Sequence, residues 1–320
     1  MHTAVCDTLK IIHPIVLAGM GGATNPELVA AVSNAGGLGI LACTLLSPED
    51  TQDALLKIHE MTDRPFGVNF VLHETDQAVF DVCLDARVPV FSFFRGQPTE
   101  ATAKAHSVGA VVLHQVTTIS EVQEACAAGV DVLVAQGREA GGHMGPHPLW
   151  TLLPEVIRVA GNRPTLAAGG IVDGQGLAAA LCFGAAGALV GTRFLATPEA
   201  PVSPEHKQAI IDAEMGGTIA SLVWDHLWGS PWPGGIKVRS LRNAMTERWA
   251  GREDELVTKL DMVRSEFADA ENRRDIRMLP MLAGEGAARI REILPAAQIV
   301  RNMIREVEEI LGLRTKPYSR

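Results

Sequence analysis

The sequence is poor in the residues that proteins use to bind nucleic acids. It has one tyrosine, aromatic residues make up only 5% of the chain, and acidic residues outnumber basic ones to give a net charge of −9. Binding to nucleic acid relies on a basic face that neutralises phosphates and on aromatic side chains that stack on bases. The composition therefore predicts that nucleic acid is not a partner.

Long hydrophobic runs and paired cysteines are also missing. No uninterrupted apolar stretch approaches the ~18 residues of a membrane-spanning helix, and His13 and Pro14 break the apolar run near the N-terminus, which no basic segment precedes. The five cysteines form no CxxC pair, which is typical of reduced thiols in the cytosol. These absences predict a soluble, cytoplasmic protein without a membrane partner.

Several familiar catalytic motifs are absent as well. The chain has no phosphate-binding Walker loop and no G-x-S-x-G nucleophile motif. His143 and His147 have an i, i+4 spacing, but Gly145 and Pro146 between them preclude the helix that would aim both rings at one ion. We therefore predict no metal site.

The chain does contain short apolar runs that indicate a parallel sheet. Of its 320 residues 47% are hydrophobic, enough for a large core, and the runs lack the polar alternation of a half-exposed strand. The predicted strands are 15–18, 39–42, 66–70, 88–93, 111–114, 132–135, 164–167 and 188–190. The predicted helices that alternate with them are 26–35, 47–61, 99–107, 119–127, 152–160 and 174–183.

This alternation predicts an α/β protein with a (β/α)8 TIM barrel. The alternative is a doubly wound dinucleotide-binding sheet, because residues 37–42 match the letters G-x-G-x-x-A. That fingerprint must follow a strand and open a helix. Here it follows a predicted helix and opens a predicted strand, so the barrel is favoured.

The composition changes after the eighth strand, and it divides the chain into three predicted segments. Residues 1–204 form the barrel, and 205–285 form a mainly helical lobe over its mouth, with helices at 204–214 and 253–272 and a turn cluster at 228–235. Residues 286–320 form a C-terminal segment whose helix, predicted at 287–311, packs back on the barrel. We expect the lobe to act as a lid that sets substrate choice.

Two predicted strands end in glycines that no reactive side chain accompanies. They are followed by Gly169-Gly170 and by Gly191-Thr192, the loops after strands seven and eight, where barrels commonly bind phosphate. Glycine lets backbone N–H groups approach an anion closely. The sequence therefore predicts a phosphate site; the alternative is that these glycines serve only tight turns.

The loop after the sixth strand presents a histidine among glycines. His143 follows Gly141 and Gly142, so its ring is expected to project into the barrel mouth, and an imidazole suits proton abstraction near neutral pH. We interpret His143 as the candidate catalytic base. His147 is interpreted as a loop residue, and Glu139 as a residue that caps or orients the loop.

Taken together, the motifs resemble those of the nitronate monooxygenase family of FMN-dependent barrels. The resemblance rests on six segments within residues 14–197, which are specific when taken together. It resumes at 242–243 and near 284–290. Those segments are 14–20, 25–39, 66–69, 136–143, 168–171 and 191–194.

The resemblance implies FMN as the cofactor and assigns residues to it. The phosphate would lie on Gly169, Gly170, Gly191 and Thr192. The flavin ring would meet Ala18, Gly19, Met20, Asn69, Gln136 and Gly141. His143 matches the family histidine that is proposed to deprotonate a nitroalkane.

One position departs from the family pattern. Some members carry a lysine near the flavin after the fifth-strand histidine, whereas here His114 is followed by Gln115. A glutamine can donate only a neutral hydrogen bond to a negatively charged group.

The predicted function is therefore FMN-dependent oxidation of a small carbon acid, such as an alkyl nitronate or nitroalkane, with O2. The first alternative is an NAD(P)H-dependent FMN reductase of an enone, enoyl thioester or quinone, since enoyl-acyl-carrier-protein reductases share the glycine motifs. The second is a flavin-free lyase or isomerase that binds its substrate's own phosphate on the same loops.

Overall fold

Eight parallel strands surround a common axis in the computed structural model, which describes residues 1–230, 232 and 234–313. The strands in chain order are β1 (Ile15–Leu17), β2 (Gly39–Ala42), β3 (Phe66–Val71), β4 (Val90–Phe94), β5 (Val111–Val116), β6 (Val132–Gln136), β7 (Gly142–His143), β8 (Thr165–Ala168), β9 (Gly187–Val190), β10 (Thr218–Ser221) and β11 (Val238–Leu241). The large sheet runs β1-β9-β8-β6-β5-β4-β3-β2, and every neighbouring pair in it is parallel.

The two ends of this sheet meet. Val16 and Leu38 form a parallel bridge, in which the Leu17 N–H donates to the Leu38 carbonyl at 2.8 Å and the Leu38 N–H donates to the Ile15 carbonyl at 3.0 Å. This contact brings β1 beside the start of β2. The predicted (β/α)8 barrel is thus confirmed, and the open dinucleotide-binding sheet is excluded.

Helices connect the strands on the outside of the barrel. Those that precede β9 are α1 (Ala4–Leu9), α2 (Pro26–Asn34), α3 (Pro48–Met61), α4 (Gln77–Asp85), α5 (Thr99–Ser107), α6 (Ile119–Ala127), α7 (Leu149–Ala160) and α8 (Gly174–Cys182). Those that follow it are α9 (Thr192–Leu195), α10 (Pro204–Ile211), α11 (Val223–Trp228), α12 (Ala244–Trp249), α13 (Glu253–Thr258), α14 (Leu260–Arg273) and α15 (Ala296–Ile310). Single 3₁₀ turns occur at Leu72–Glu74 and Glu285–Arg289.

The differences from the predicted barrel elements have local causes. The fourth strand begins at Val90 and not at 88, because Pro89 has no N–H to donate to a sheet. Helix α4 was not predicted, although Asp76 caps it by accepting from the Ala78 N–H at 2.8 Å. Helix α7 begins at Leu149, three residues early, because the Glu139 carboxylate accepts the Leu149 N–H.

The interior of the barrel is apolar and is closed at its N-terminal end by α1. The inward side chains of the strands form one buried cluster with Val5, Cys6 and Leu9 of α1. The outward side chains form a second, larger cluster with the surrounding helices. Since the bottom of the barrel is filled in this way, the cavity described below lies at the opposite end, where the parallel strands terminate.

The segment between α9 and α15 forms the lobe, and it is less helical than predicted. It contains α10 to α14, but β10 and β11 also pair antiparallel, and β11 pairs with β7 from the barrel loop. The helix predicted at 253–272 is two helices, α13 and α14, and the one predicted at 204–214 ends at Ile211. Residues 231 and 233 of the predicted turn cluster lie outside the described residues.

The C-terminal helix completes the outer ring of the barrel. The prediction of one helix over 287–311 was wrong at its start, since α15 begins only after Pro295. Helix α15 packs between α8 and α2, the place of the eighth barrel helix, so the lobe is inserted between the eighth strand and its helix. Residues 314–320 of this predicted segment lie outside the described residues. The three-part division itself stays a prediction.

Candidate active site

The alternation of side chains along the strands decides which residues reach the barrel mouth. Val68 and Phe70 of β3 point outward to the helices, and therefore Asn69 points inward. The same alternation directs Gln115 of β5 and Gln136 of β6 inward, whereas His114 is buried on the outer side. Carboxamides from three strands thus gather at one end of the barrel.

These side chains line a cavity of about 830 Å³ between the barrel mouth and the lobe. All the residues predicted for the site contribute to its wall. They are Ala18, Gly19, Met20, Asn69, Gln115, Gln136, Gly141, His143, Gly169, Gly170, Gly191 and Thr192. The structure therefore brings the predicted set together, while the individual roles stay predictions.

The glycine loops after β8 and β9 fit a bound phosphate. The backbone N–H groups of Gly169, Gly170, Gly191 and Thr192 donate to no backbone carbonyl in the described part of the chain. A Cβ on Gly191 would meet only Met20 Sδ at 3.4 Å and Ala18 Cβ at 3.6 Å, and its φ of −106° is not left-handed. Neither backbone strain nor protein packing explains this glycine, but the close approach of a bound group does.

Two carboxamides are left for a bound molecule to satisfy. Asn69 Oδ1 and Gln136 Oε1 are buried and accept no hydrogen bond from a described residue. A buried polar atom without a partner is costly. Because both residues line the cavity, a ring system with N–H donors, such as a flavin, would fit here.

A segment of the lobe fixes the loops that surround the predicted cofactor. The Gly284 N–H donates to Thr192 Oγ1 at 2.9 Å, and the Glu285 N–H donates to the Glu139 carbonyl at 2.9 Å. A Cβ on Gly141 would lie 2.7 Å from the Gly284 nitrogen. Gly141 is therefore required by packing against the lobe, in addition to any contact with the flavin.

His143 is held in a defined orientation. It lies on β7, opposite Val238 of β11, and its ring stacks on Trp232 with centroids 3.4 Å apart and planes within 2°. Its Nε2 lies 2.8 Å from Asp225 Oδ1. Trp232 is fixed in turn by its own Nε1–H, which donates to Glu74 Oε1 at 2.8 Å.

Sequence reasoning did not identify Asp225, Trp232 or Glu74 as site residues. Asp225 is fully buried in α11 among apolar neighbours, and an acid within such an apolar run is a signal that could have identified it. Glu74 comes from a 3₁₀ turn, and Trp232 comes from the segment that the sequence predicted as a turn cluster. Only the tertiary structure brings these close to His143.

The remaining histidines differ from His143 in their surroundings. Burial lowers the pKa of His206, which lines the same cavity, to about 4, so its ring is neutral at physiological pH. Burial also lowers the pKa of His114 to about 4. His147 is exposed, as expected of a loop residue. The Glu139 carboxylate accepts the Leu149 N–H at the start of α7, while its predicted role in capping or orienting the His143 loop stays a prediction.

The described residues that line the cavity include no lysine and no arginine. Their acidic members are Glu74 and Asp225. Within the described residues no group of three His, Cys, Asp or Glu could hold a metal ion, and no helix is long and apolar enough to cross a membrane. The described part of the wall thus consists of glycines, apolar side chains, neutral amides, hydroxyl groups, two histidines and two acids.

Comparison with known proteins identifies relatives. A family model for nitronate monooxygenase matches residues 2–79 and 75–306. The chain is 37% identical over 251 residues to (3aS,4S,5R,7aS)-5-hydroxy-7a-methyl-1-oxo-octahydro-1H-indene-4-carboxyl-CoA dehydrogenase of Mycobacterium tuberculosis, covering 78% of this chain and 68% of that protein.

Two solved structures resemble it over almost the whole chain. FabK from Thermotoga maritima superposes with a TM-score of 0.86 at 34% identity, covering 98% of both chains. A nitroalkane oxidase from Streptomyces ansochromogenes superposes with a TM-score of 0.80 at 30% identity, covering 98% of this chain and all of the other. These relatives are FMN-dependent flavoproteins, and the cofactor predicted from the sequence is FMN.

Replacing Gly191 with Asp tests where the phosphate lies. We expect Gly191→Asp to fold but to lose FMN, since its carboxylate would occupy the space of the phosphate and repel it. The flavin absorbance per protein after desalting, with a thermal melt to confirm folding, measures this. Gly191 is a cleaner target than Gly170, where a φ of +72° would add backbone strain.

Gly216→Asp is the control for an added carboxylate outside the cavity wall: Gly216 lies in an exposed turn where a Cβ would meet nothing within 4 Å, and its φ of +79° makes the change more demanding on the backbone than the one at Gly191. That variant should retain its FMN. A folded Gly191→Asp protein with undiminished flavin would place the phosphate elsewhere.

Proposed function

Because the chain belongs to the nitronate monooxygenase family, we propose that it is an FMN-dependent oxidoreductase that exchanges a hydride with a substrate whose reacting part is neutral and largely apolar. His143 exchanges the accompanying proton. NAD(P)H or NAD(P)⁺ is the second redox partner. In the reducing direction this is the NAD(P)H-dependent FMN reductase that the sequence left as its first alternative to nitronate oxidation; the dehydrogenase direction is added here.

The charge of the residues that line the cavity is the observation that supports this function over nitronate oxidation. An alkyl nitronate is an anion, and among the described lining residues it would find two acids and no lysine or arginine. Gln115 stands where some family members place a lysine, and it supplies no positive charge. Placing like charges together in a buried site is unfavourable, so the cavity favours a substrate whose reacting part is neutral.

The apolar part of the wall supports the same substrate class. Phe94, Val71 and Leu45 from the barrel face Trp228 and Leu282 from the lobe across the cavity. Such a wall suits the hydrocarbon body of a substrate. The M. tuberculosis relative is named as the dehydrogenase of a hydroxylated indene carboxyl-CoA. Removal of a hydride and a proton would convert such a hydroxyl group to a ketone.

His143 has the geometry of the proton carrier. Its Nε2 is bonded to Asp225, and its Nδ1 forms no hydrogen bond with a described residue. When an alcohol is oxidised, Nδ1 takes the hydroxyl proton and the C–O single bond becomes a carbonyl. The glycine loops, with Asn69 and Gln136, would hold FMN beside that carbon, and FMN would supply the acceptor for the hydride that leaves it.

Oxidation of a neutral nitroalkane with O2 is the second candidate. The free Nδ1 of His143 could remove the acidic proton of a nitroalkane as readily as that of an alcohol. The nitroalkane oxidase structure, at 30% identity, supports this option. It differs from the first in needing neither NADH nor NADPH.

Anaerobic mixing of the yellow enzyme separates the two. We expect NADH or NADPH to bleach the flavin rapidly and an alkyl nitronate to bleach it slowly or not at all, because the nitronate lacks a positive partner in the cavity. The absorbance is followed by stopped flow. Rapid bleaching by the nitronate, or by the neutral nitroalkane mixed in the same way, with no response to either nicotinamide would overturn the proposal and leave nitroalkane or nitronate oxidation in its place.

His143→Ala tests the proton carrier. We expect the variant to retain FMN and to oxidise or reduce its carbon substrate roughly 10²-fold more slowly, which is typical of losing a general acid or base. Flavin reduction by the nicotinamide should change less, because hydride transfer to FMN needs no proton from His143.

His147→Ala is the matched control, since that ring is exposed four residues along the chain. It should leave both half-reactions unchanged. An equal loss in both half-reactions of His143→Ala would mean that His143 positions the flavin and does not carry the proton.

A further inference from the structure

We propose that Asp225 is the positioning residue for His143, so that the lobe supplies half of the proton-transfer unit of the barrel. It fixes the neutral imidazole with its proton on Nε2, and it stabilises the imidazolium that forms when Nδ1 takes a proton. This inference rests on the proposed role of His143 as the proton carrier.

The first observation is the hydrogen bond itself. Asp225 Oδ1 and His143 Nε2 are 2.8 Å apart, and the two residues are 82 positions apart in the chain. A carboxylate only accepts hydrogen bonds, so in the arrangement that we propose Nε2 is the donor. In the neutral ring the lone pair is then on Nδ1, which forms no hydrogen bond with a described residue.

The second observation is the confinement of the ring. The stack with Trp232 fixes the plane of the imidazole, and the pairing of β7 with β11 fixes its backbone. Within that plane the bond to Asp225 determines which edge faces the cavity. Together these three contacts fix the orientation of the ring and therefore the direction in which Nδ1 points.

The third observation is the cost of this arrangement. Asp225 is fully buried, and its second oxygen, Oδ2, has no hydrogen-bond partner among the described residues. Burying a carboxylate with a single hydrogen bond is expensive. A neutral asparagine could satisfy Nε2 more cheaply if the bond served only folding, so the negative charge indicates a role beyond packing.

Charged groups on neighbouring elements do not neutralise Asp225. Arg264 of α14 donates to the His226 carbonyl, and the Glu253 carboxylate of α13 accepts the Leu222 N–H at 3.4 Å. The Glu74 carboxylate accepts a hydrogen bond from the indole N–H of Trp232. His143 is therefore the polar partner that the described structure gives to the Asp225 side chain.

The test compares Asp225→Asn and Asp225→Glu with the wild type, all as FMN-loaded protein. The tautomer of His143 is read from its ¹⁵N resonances, which are assigned by their disappearance in His143→Ala. We expect the wild type to carry the proton on Nε2. Asp225→Asn should lose this preference, because its amide can either accept from Nε2 or donate to it.

The kinetic effect should fall on kcat. We expect Asp225→Asn to lower kcat by about 10- to 100-fold with a smaller change in KM, the usual scale for removing the partner that orients a functional histidine. Asp225→Glu, which keeps the charge, should recover part of the loss. Glu253→Gln is the control, since it alters another carboxylate of the lobe that lies outside the cavity wall.

Two results would overturn the proposal. One is a wild-type enzyme with the proton on Nδ1, a measurement that requires no variant to fold. The other is an Asp225→Asn enzyme with an unchanged tautomer and unchanged kcat. If His143→Ala retains full activity while the tautomer shift is seen, the proposed function fails and the positioning by Asp225 stands.

Discussion

The antiparallel pairing of β7 with β11 is the contact on which the site depends. β7 comprises only Gly142 and His143, and a loop so rich in glycine has no conformational preference strong enough to fix a side chain. Pairing with Val238 and Arg239 of the lobe supplies the missing constraint. The same lobe carries Asp225 and Trp232, so one region of tertiary structure orients His143 and provides its charged partner. The lobe therefore orients the candidate proton carrier and also forms part of the cavity wall.

The barrel contributes what the lobe does not, namely free backbone N–H groups and uncharged amides. The phosphate of FMN would be held by N–H groups of the glycine loops, with no lysine or arginine among the described cavity residues. Gln115, Gln136 and Asn69 surround the place where the flavin ring is expected. Because burial keeps His206 neutral, charge in the cavity is concentrated on the two carboxylates and on His143 when it carries a proton. A reaction that transfers a hydride and a proton to or from a neutral group fits this distribution of charge in the cavity.

The sequence predicted the barrel well because buried parallel strands are short apolar runs. In such barrels the active site lies at the C-terminal ends of the strands, so the strand ends also indicate the site residues. The bounds of β3, which contains Asn69, and of β6, which ends at Gln136, were predicted to within one residue. The lobe was predicted poorly, since β10 and β11 owe their existence to pairing between distant residues and have no local signature. For the same reason the partner of His143 was missed: nothing near His143 in the sequence points to Asp225.

The charge of the cavity is tested most directly by Gln115→Lys, with Gln115→Met as the neutral control. The measurement is the rate of anaerobic flavin bleaching by an alkyl nitronate relative to the rate with NADH. We expect the lysine to raise this ratio by about tenfold or more, the effect of ~1.4 kcal/mol of attraction for the anion, while the methionine leaves it unchanged. An unaltered ratio in a lysine variant that retains FMN would contradict the proposal that the lack of lysine and arginine among the described residues of the cavity wall disfavours an anionic substrate.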